Sequence, residues 1–182
     1  MHLPTGIIPA IRRMKDFEIA LTTSHEWIVF LETRLGQLKS LVDYSKKANK
    51  KVLIHVDLVQ GLKADEYGME FLIHEMKPDG ILSTRMNNIE FAKKHQTLAI
   101  QRLFLLDSLA LENNYKLYNR VQPDCIEVLP GRIPEIIKQI YNQTNIPIIA
   151  GGLIEEETDV KVALKAGAVS VSTSNKRLWK FN

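Results

Sequence analysis

"IIAGGLIEEETDVKVALKAGAVSVSTS", residues 148 to 174, decides the fold. A short apolar run ends in two glycines. An amphipathic stretch follows, Ala-Gly-Ala breaks it, and a second short strand closes on three hydroxyl side chains. Gly167 stands where a glycine past a helix C-terminus belongs. The segment is one strand–helix unit and the start of the next, and the same alternation extends through the rest of the chain.

Eight runs read as strands: "GIIPAI" (6–11), "WIVFLE" (27–32), "VLIHVD" (52–57), "GILST" (80–84), "LAIQRLF" (98–104), "CIEVLP" (125–130), "PIIAG" (147–151) and "AVSVST" (168–173). Between them lie "LGQLKSLVDYSKKANK", "DEYGMEFLIHEM", "NNIEFAKKHQ", "DSLALENNYKLYNRV", "RIPEIIKQIYNQT" and "EEETDVKVALKAG", several with apolar residues recurring at three and four. Asp107 or Ser108 can cap the fifth helix, and "NKRLWKF" reads as the eighth. Strands alternating with helices predict a compact (β/α)8 TIM barrel. The alternative is an open doubly wound sheet. With 182 residues each unit has only about 23, so the loops must be short. One domain over residues 1–182 is expected.

Composition narrows the class. The chain is 45% hydrophobic and 25% charged, with a net charge of +3, and this is an ordinary globular balance. No apolar run is long enough to span a bilayer and no signal-peptide pattern opens the chain, which predicts a cytoplasmic protein. A single cysteine, Cys125, excludes a disulfide framework and a multi-cysteine zinc site, and it reads best as core.

In such barrels ligands sit at the C-terminal ends of the strands, and phosphate is often held after strands seven and eight. Gly151 and Gly152 let backbone N–H groups approach an anion, and Ser172, Thr173 and Ser174 add hydroxyl donors. The plainer reading of the same residues is a tight turn and a helix cap. Alternation turns His55 and Asp57 toward the barrel axis, and Cys125 with Glu127 on strand six. Glu32, Arg102 and Asp107 lie at or near other strand ends. Asp57, Glu127 and Arg102 are the candidates for a polyol's hydroxyls, while His55 alone reads as an interior histidine. No metal-ligand spacing occurs, and no strand-end lysine suits a Schiff base, since Lys63 lies in a loop. No catalytic, metal or cofactor residue is assigned.

Seven stretches read together, "IPAIR", "VLIHVDLVQGLKAD", "DGILSTR", "QRLFLLDS", "CIEVLPG", "IIAGGLI" and "ALKAGAVSVSTSNKRLW", resemble the glycerol-3-phosphate-responsive antiterminators, regulators of bacterial glycerol operons. The resemblance runs from about residue 7 to residue 179. It implies glycerol 3-phosphate as an effector, with the leader messenger RNA of a glycerol operon as partner and premature termination as the event prevented. It places the phosphate at Gly151, Gly152 and the Ser172–Ser174 turn; Gly131, at the end of "CIEVLPG", joins the ligand set. The ligand would have to bind the RNA-competent state more tightly than the other.

Candidate RNA contacts are Arg12, Arg13, Lys176 and Arg177, because the first and eighth loops are neighbours in a closed barrel. Lys15, Lys93, Lys94, His95 and Lys180 are basic too, as is the run "KKANKK" (46–51), though the lysines of that run at a helix C-terminus complement its dipole without any partner. The alternative to a regulator is a barrel enzyme acting on a glycerol phosphate, of prenyltransferase or phosphodiesterase type. Leu178, Trp179 and Phe181 either pack the last helix or meet a protein partner. A homodimer is also compatible.

Overall fold

A computed structural model describes residues 2–105 and 108–181, apart from the side chains of 108–110 and 113. The eight expected strands are present: β1 (Gly6–Ile11), β2 (Trp27–Phe30), β3 (Lys51–His55), β4 (Gly80–Ser83), β5 (Leu98–Phe104), β6 (Cys125–Leu129), β7 (Ile148–Gly151) and β8 (Ala168–Thr173). They close in sequential order into a parallel barrel, with β1 between β2 and β8. The open-sheet alternative is thereby excluded.

The helices are α1 (Phe17–Leu21), α2 (Leu35–Lys47), α3 (Glu66–Phe71), α4 (Met86–Lys94), α5 (Ser108–Val121), α6 (Pro134–Thr144) and α7 (Glu157–Lys165). The cap expected at Asp107 or Ser108 falls outside the described residues and side chains. Gly167, at φ 103°, follows α7 as expected.

Two units depart from the expected pattern. After β1 the chain makes a 3-10 turn and only the five residues of α1. After β8 the expected helix is a 3-10 turn, Leu178–Lys180. There the Asn175 N–H donates to Thr173 Oγ1, Asn175 Oδ1 accepts from the Arg177 N–H, and the Trp179 indole donates to the Thr173 carbonyl. Side chains thus take backbone groups a helix would have used. Leu178 and Trp179 are buried, which settles their role as packing residues.

Alternation sorts the core into two layers. Ile8, Val29, Leu53, Leu82, Ile100 and Cys125 fill the barrel interior. Ile7, Ile28, Ile54, Val56, Ile126 and Val128 face the helices. Strands buried on both faces lose the polar alternation of a surface sheet, and for that reason they appear in the sequence as short apolar runs. Where a strand end does carry a polar side chain inward, it carries it to the top of the barrel.

Candidate ligand cleft

The loops after the strands surround a cleft of about 900 Å³ at the C-terminal end of the barrel. Asp57, Arg102, Gly152, Ser172, Thr173 and Ser174 line it, as does Arg12. Asp57 reaches it from a 3-10 turn, Val56–Leu58, just beyond β3, where the sequence pattern places it on the strand. Glu32 lies outside β2, is exposed, and stands 3.5 Å from Arg12.

A buried polar chain crosses the cleft floor. Ser172 Oγ donates to Glu127 Oε1 at 2.5 Å, and Glu127 is fully buried. Arg102 Nε lies 3.0 Å from Glu127 Oε2, an ion pair at an angle too oblique for a hydrogen bond. The pairing follows from register, because Arg102 and Glu127 are opposite one another on β5 and β6. Arg102 also contacts His55 Nδ1 at 3.1 Å. A guanidinium can only donate, so Nδ1 accepts and the imidazole proton sits on Nε2. That nitrogen faces Asp57 Oδ2 across 3.5 Å and has no close hydrogen-bond partner.

Asp57 is the best-satisfied carboxylate of the group. It accepts from Ser83 Oγ (2.7 Å), the Thr84 N–H (2.6 Å) and Thr84 Oγ1 (2.9 Å). Burial alone would raise its pKa, but His55, the Thr84 amide and the two hydroxyls outweigh burial and hold the carboxyl well below the usual carboxylate range. The floor therefore offers one ionised acceptor beside two strong donors, His55 Nε2 and the remaining guanidinium N–H groups of Arg102. Such a set suits a small molecule carrying both hydroxyls and an anion.

On the opposite side the β7 loop turns through two successive left-handed residues, Gly152 at φ 71° and Leu153 at φ 57°. A branched side chain in that region is strained, and Leu153 is 63% exposed, so burial of its side chain does not offset the strain. Gly151 and Gly131 lie behind this turn and serve close approach. A Cβ on Gly151 would sit 2.7 Å from Ser172 Oγ and 2.8 Å from Glu127 Oε1; one on Gly131 would sit 2.7 Å from the Gly151 nitrogen. Thr173 Oγ1 is engaged, donating to the Ile154 carbonyl and accepting from the Asn175 N–H.

The candidate RNA contacts separate. Arg13 Nε is 3.3 Å, and Lys176 Nζ 2.8 Å, from the buried Asp16 carboxylate, so Lys176 joins the β8 loop to the β1 loop while Arg13 pairs within the latter. Arg12 turns to the cleft. Arg177 is exposed and makes no ion pair among the described residues. Sequence reasoning missed Ser83, Thr84 and the bridging place of His55. The one available signal was that "GILST" and "AVSVST" both end in Ser-Thr, and both pairs come to the cleft region.

These features define a (β/α)8 barrel with a polar cleft at its strand ends. Residues 7–179 match the family model of glycerol-3-phosphate responsive antiterminators, and the chain belongs to that family. The crystal structure of a glycerol uptake operon antiterminator regulatory protein from Listeria monocytogenes is 49% identical, with both chains fully covered and a TM-score of 0.96. A glycerol uptake operon antiterminator-related protein from Thermotoga maritima is 30% identical over 98% of this chain and all of its own, at a TM-score of 0.88. The uncharacterized protein YgcP of Escherichia coli K12 is 33% identical over 173 residues, which is 95% of this chain and 91% of YgcP. Among the described residues no helix is long and apolar enough to cross a membrane.

Proposed function

We propose that the chain is a cytoplasmic glycerol 3-phosphate sensor that binds the leader RNA of a glycerol operon and prevents premature termination, without catalysing a reaction on its ligand. Family membership supports the regulatory class. The observation that carries the ligand is the pairing of a close-approach turn at Gly152 with two donors on the far wall, His55 Nε2, which has no close hydrogen-bond partner, and Arg102, which Glu127 and His55 fix in place. The phosphate sits against Gly152 and the Ser172–Ser174 turn, with Gly151 and Gly131 giving that turn its shape. The glycerol hydroxyls meet Asp57 and Arg102, and Glu127 acts by fixing Arg102 and Ser172. Glycerol 3-phosphate is an effector here, and no other cofactor is needed.

Calorimetric titration with sn-glycerol 3-phosphate tests this, with inorganic phosphate and glycerol as controls. Saturable binding that neither control reproduces is expected. Gly152→Asp abolishes it, because the new side chain meets a left-handed backbone costing about 1–2 kcal/mol and brings a negative charge to the anion. Wild-type protein that fails to bind at millimolar ligand, or that turns the ligand over, overturns the proposal; turnover would favour the barrel-enzyme reading.

A further inference from the structure

We infer that the RNA lies across the mouth of this same cleft, its phosphates following a crescent of free cations from the loops after β8, β1, β2 and β4, with one unstacked base resting on Phe104. The inference rests on the proposed RNA binding and adds where the RNA is held.

The cations come first. Among the described residues Lys15, Arg34, Arg85 and Arg177 are exposed and make no ion pair. All four follow strand C-termini on one contiguous part of the barrel, β8–β1–β2–β3–β4. Two of them are badly placed for folding. Arg34 is the N-cap of α2 and Arg85 the N-cap of α4, neither caps with its side chain, and neither helix has an acidic residue in its first turn. A cation at a helix N-terminus opposes the dipole, and arginine lacks the acceptor a cap requires. On the same rim α3 opens with Asp65 accepting from the Gly68 N–H, and α7 opens with a Glu156–Asp159 capping box. α1 and α6 also lack a side-chain cap, but each carries an acidic residue in its first turn, Glu18 and Glu135. Among these helices α2 and α4 alone, both on the basic side, combine a cationic N-cap with no acidic residue in the first turn. A polyanion across that side compensates both helix ends and both arginines. Glu155, Glu156 and Glu157 after β7 bound the crescent on its acidic flank.

The mouth also carries exposed apolar groups. Phe104, at the end of β5 beside the β4 loop, is 48% exposed, and the Arg102 guanidinium carbon lies 5.6 Å from its ring centre. Leu58 and Leu153 stand on the same mouth, 45% and 63% exposed. A three-carbon phosphate ester fills only part of a cleft this large, since pockets of ~300–1,000 Å³ hold drug-sized molecules. An aromatic ring at the end of a cationic track is the arrangement with which proteins hold single-stranded RNA, phosphates on the cations and a base on the ring. The ligand then lies beneath the RNA, so that each contributes to the other's site and the coupling is reciprocal.

The test is fluorescence anisotropy on the labelled leader RNA of the source organism's glycerol uptake operon, with saturating sn-glycerol 3-phosphate, across a salt series. Arg34→Ala, Arg85→Ala and Arg177→Ala should each weaken binding and flatten the salt slope by about 0.7 for every phosphate that is no longer neutralised. Phe104→Ala should weaken it about 5- to 150-fold, with Phe104→Trp restoring it, as base stacking on an aromatic side chain predicts. Lys47→Ala and Lys165→Ala, on exposed lysines in the last turns of α2 and α7, should bind as wild type. Glycerol 3-phosphate affinity in Arg34→Ala and Arg177→Ala should be unchanged, separating loss of RNA from loss of fold. Wild-type protein that binds no RNA removes the proposed RNA function and the inference with it. Rim variants that bind RNA normally while Lys47→Ala or Lys165→Ala weakens it overturn the placement alone.

Discussion

The two ends of the barrel use charge in opposite ways. At the N-terminal end of the strands Lys46, Lys50 and Lys93 are tied down. Lys50 Nζ donates to the Thr23 and His25 carbonyls at 2.5 and 2.7 Å, Lys46 Nζ to the Lys77 carbonyl at 2.6 Å, and Lys93 Nζ to Asp124 at 2.6 Å. Asp79 and Asp124 in turn accept the backbone N–H groups of Val52 and Ala99, where β3 and β5 begin. At the C-terminal end Arg34, Arg85 and Arg177 are left free, Leu153 is held in left-handed backbone, and His55 Nε2 has no close hydrogen-bond partner. These lysines and aspartates of the first end complete each other, whereas the free arginines and His55 of the second await something from outside. This division is what a barrel expects when one end carries stability and the other carries ligands.

The sharpest way to break the contrast is to remove the cation on the cleft floor, Arg102. Arg102→Met leaves Glu127 fully buried with its Oε2 uncompensated, and taking one partner from a buried pair costs about 3–5 kcal/mol. Urea unfolding should show that loss, and calorimetry should show no glycerol 3-phosphate binding. A stability change below about 1 kcal/mol would mean that the floor relaxes or admits water, and the cleft would then not be a preorganised site. The matching change at the closed end is Lys50→Met. It strands two loop carbonyls, costing about 1–3 kcal/mol, yet it should leave ligand affinity untouched. A ligand affinity that fell with Lys50→Met would join the two ends and dissolve the comparison.

How much of this was legible depended on how local the determinants were. All eight strands could be read because buried parallel strands are short apolar runs bounded by turn residues, and that pattern needs no partner to be visible. The eighth helix could not, because "NKRLWKF" has helical composition while Thr173 and Asn175, just upstream, hold its backbone in a tighter turn. Asp57 was legible as a candidate but its surroundings were not. Its donors Ser83 and Thr84 come from the next strand, 26 and 27 residues away, and only barrel closure brings them together. The basic run at 46–51 reads in sequence as lysines complementing a helix C-terminus, and the structure adds what sequence does not show: Lys46, Lys50 and Lys51 are engaged with carbonyls and with Glu26. Free cations are identified by what does not surround them, and sequence alone does not show that. Glu32 misled for a similar reason, since it follows the end of β2 and turns out to Arg12.

The smallest expected effect gives the finest measure of how closed the closed end is. Cys125 is the first residue of β6, inside the barrel near the tied lysines, and burial, with the Asp124 charge adding, pushes its thiol up to about 12. At pH 8 only about one thiol in ten thousand would be thiolate, and thiolate is the reacting form. Native protein should therefore react with a thiol reagent only at the rate of global unfolding, and fully once unfolded in urea. A cysteine introduced at the other end by Ser174→Cys, exposed on the cleft rim, should react at once and be slowed by glycerol 3-phosphate. Rapid modification of native Cys125 would mean that the interior opens from below without unfolding. The barrel would then breathe at both ends, and the assignment of rigidity to one and binding to the other would fail.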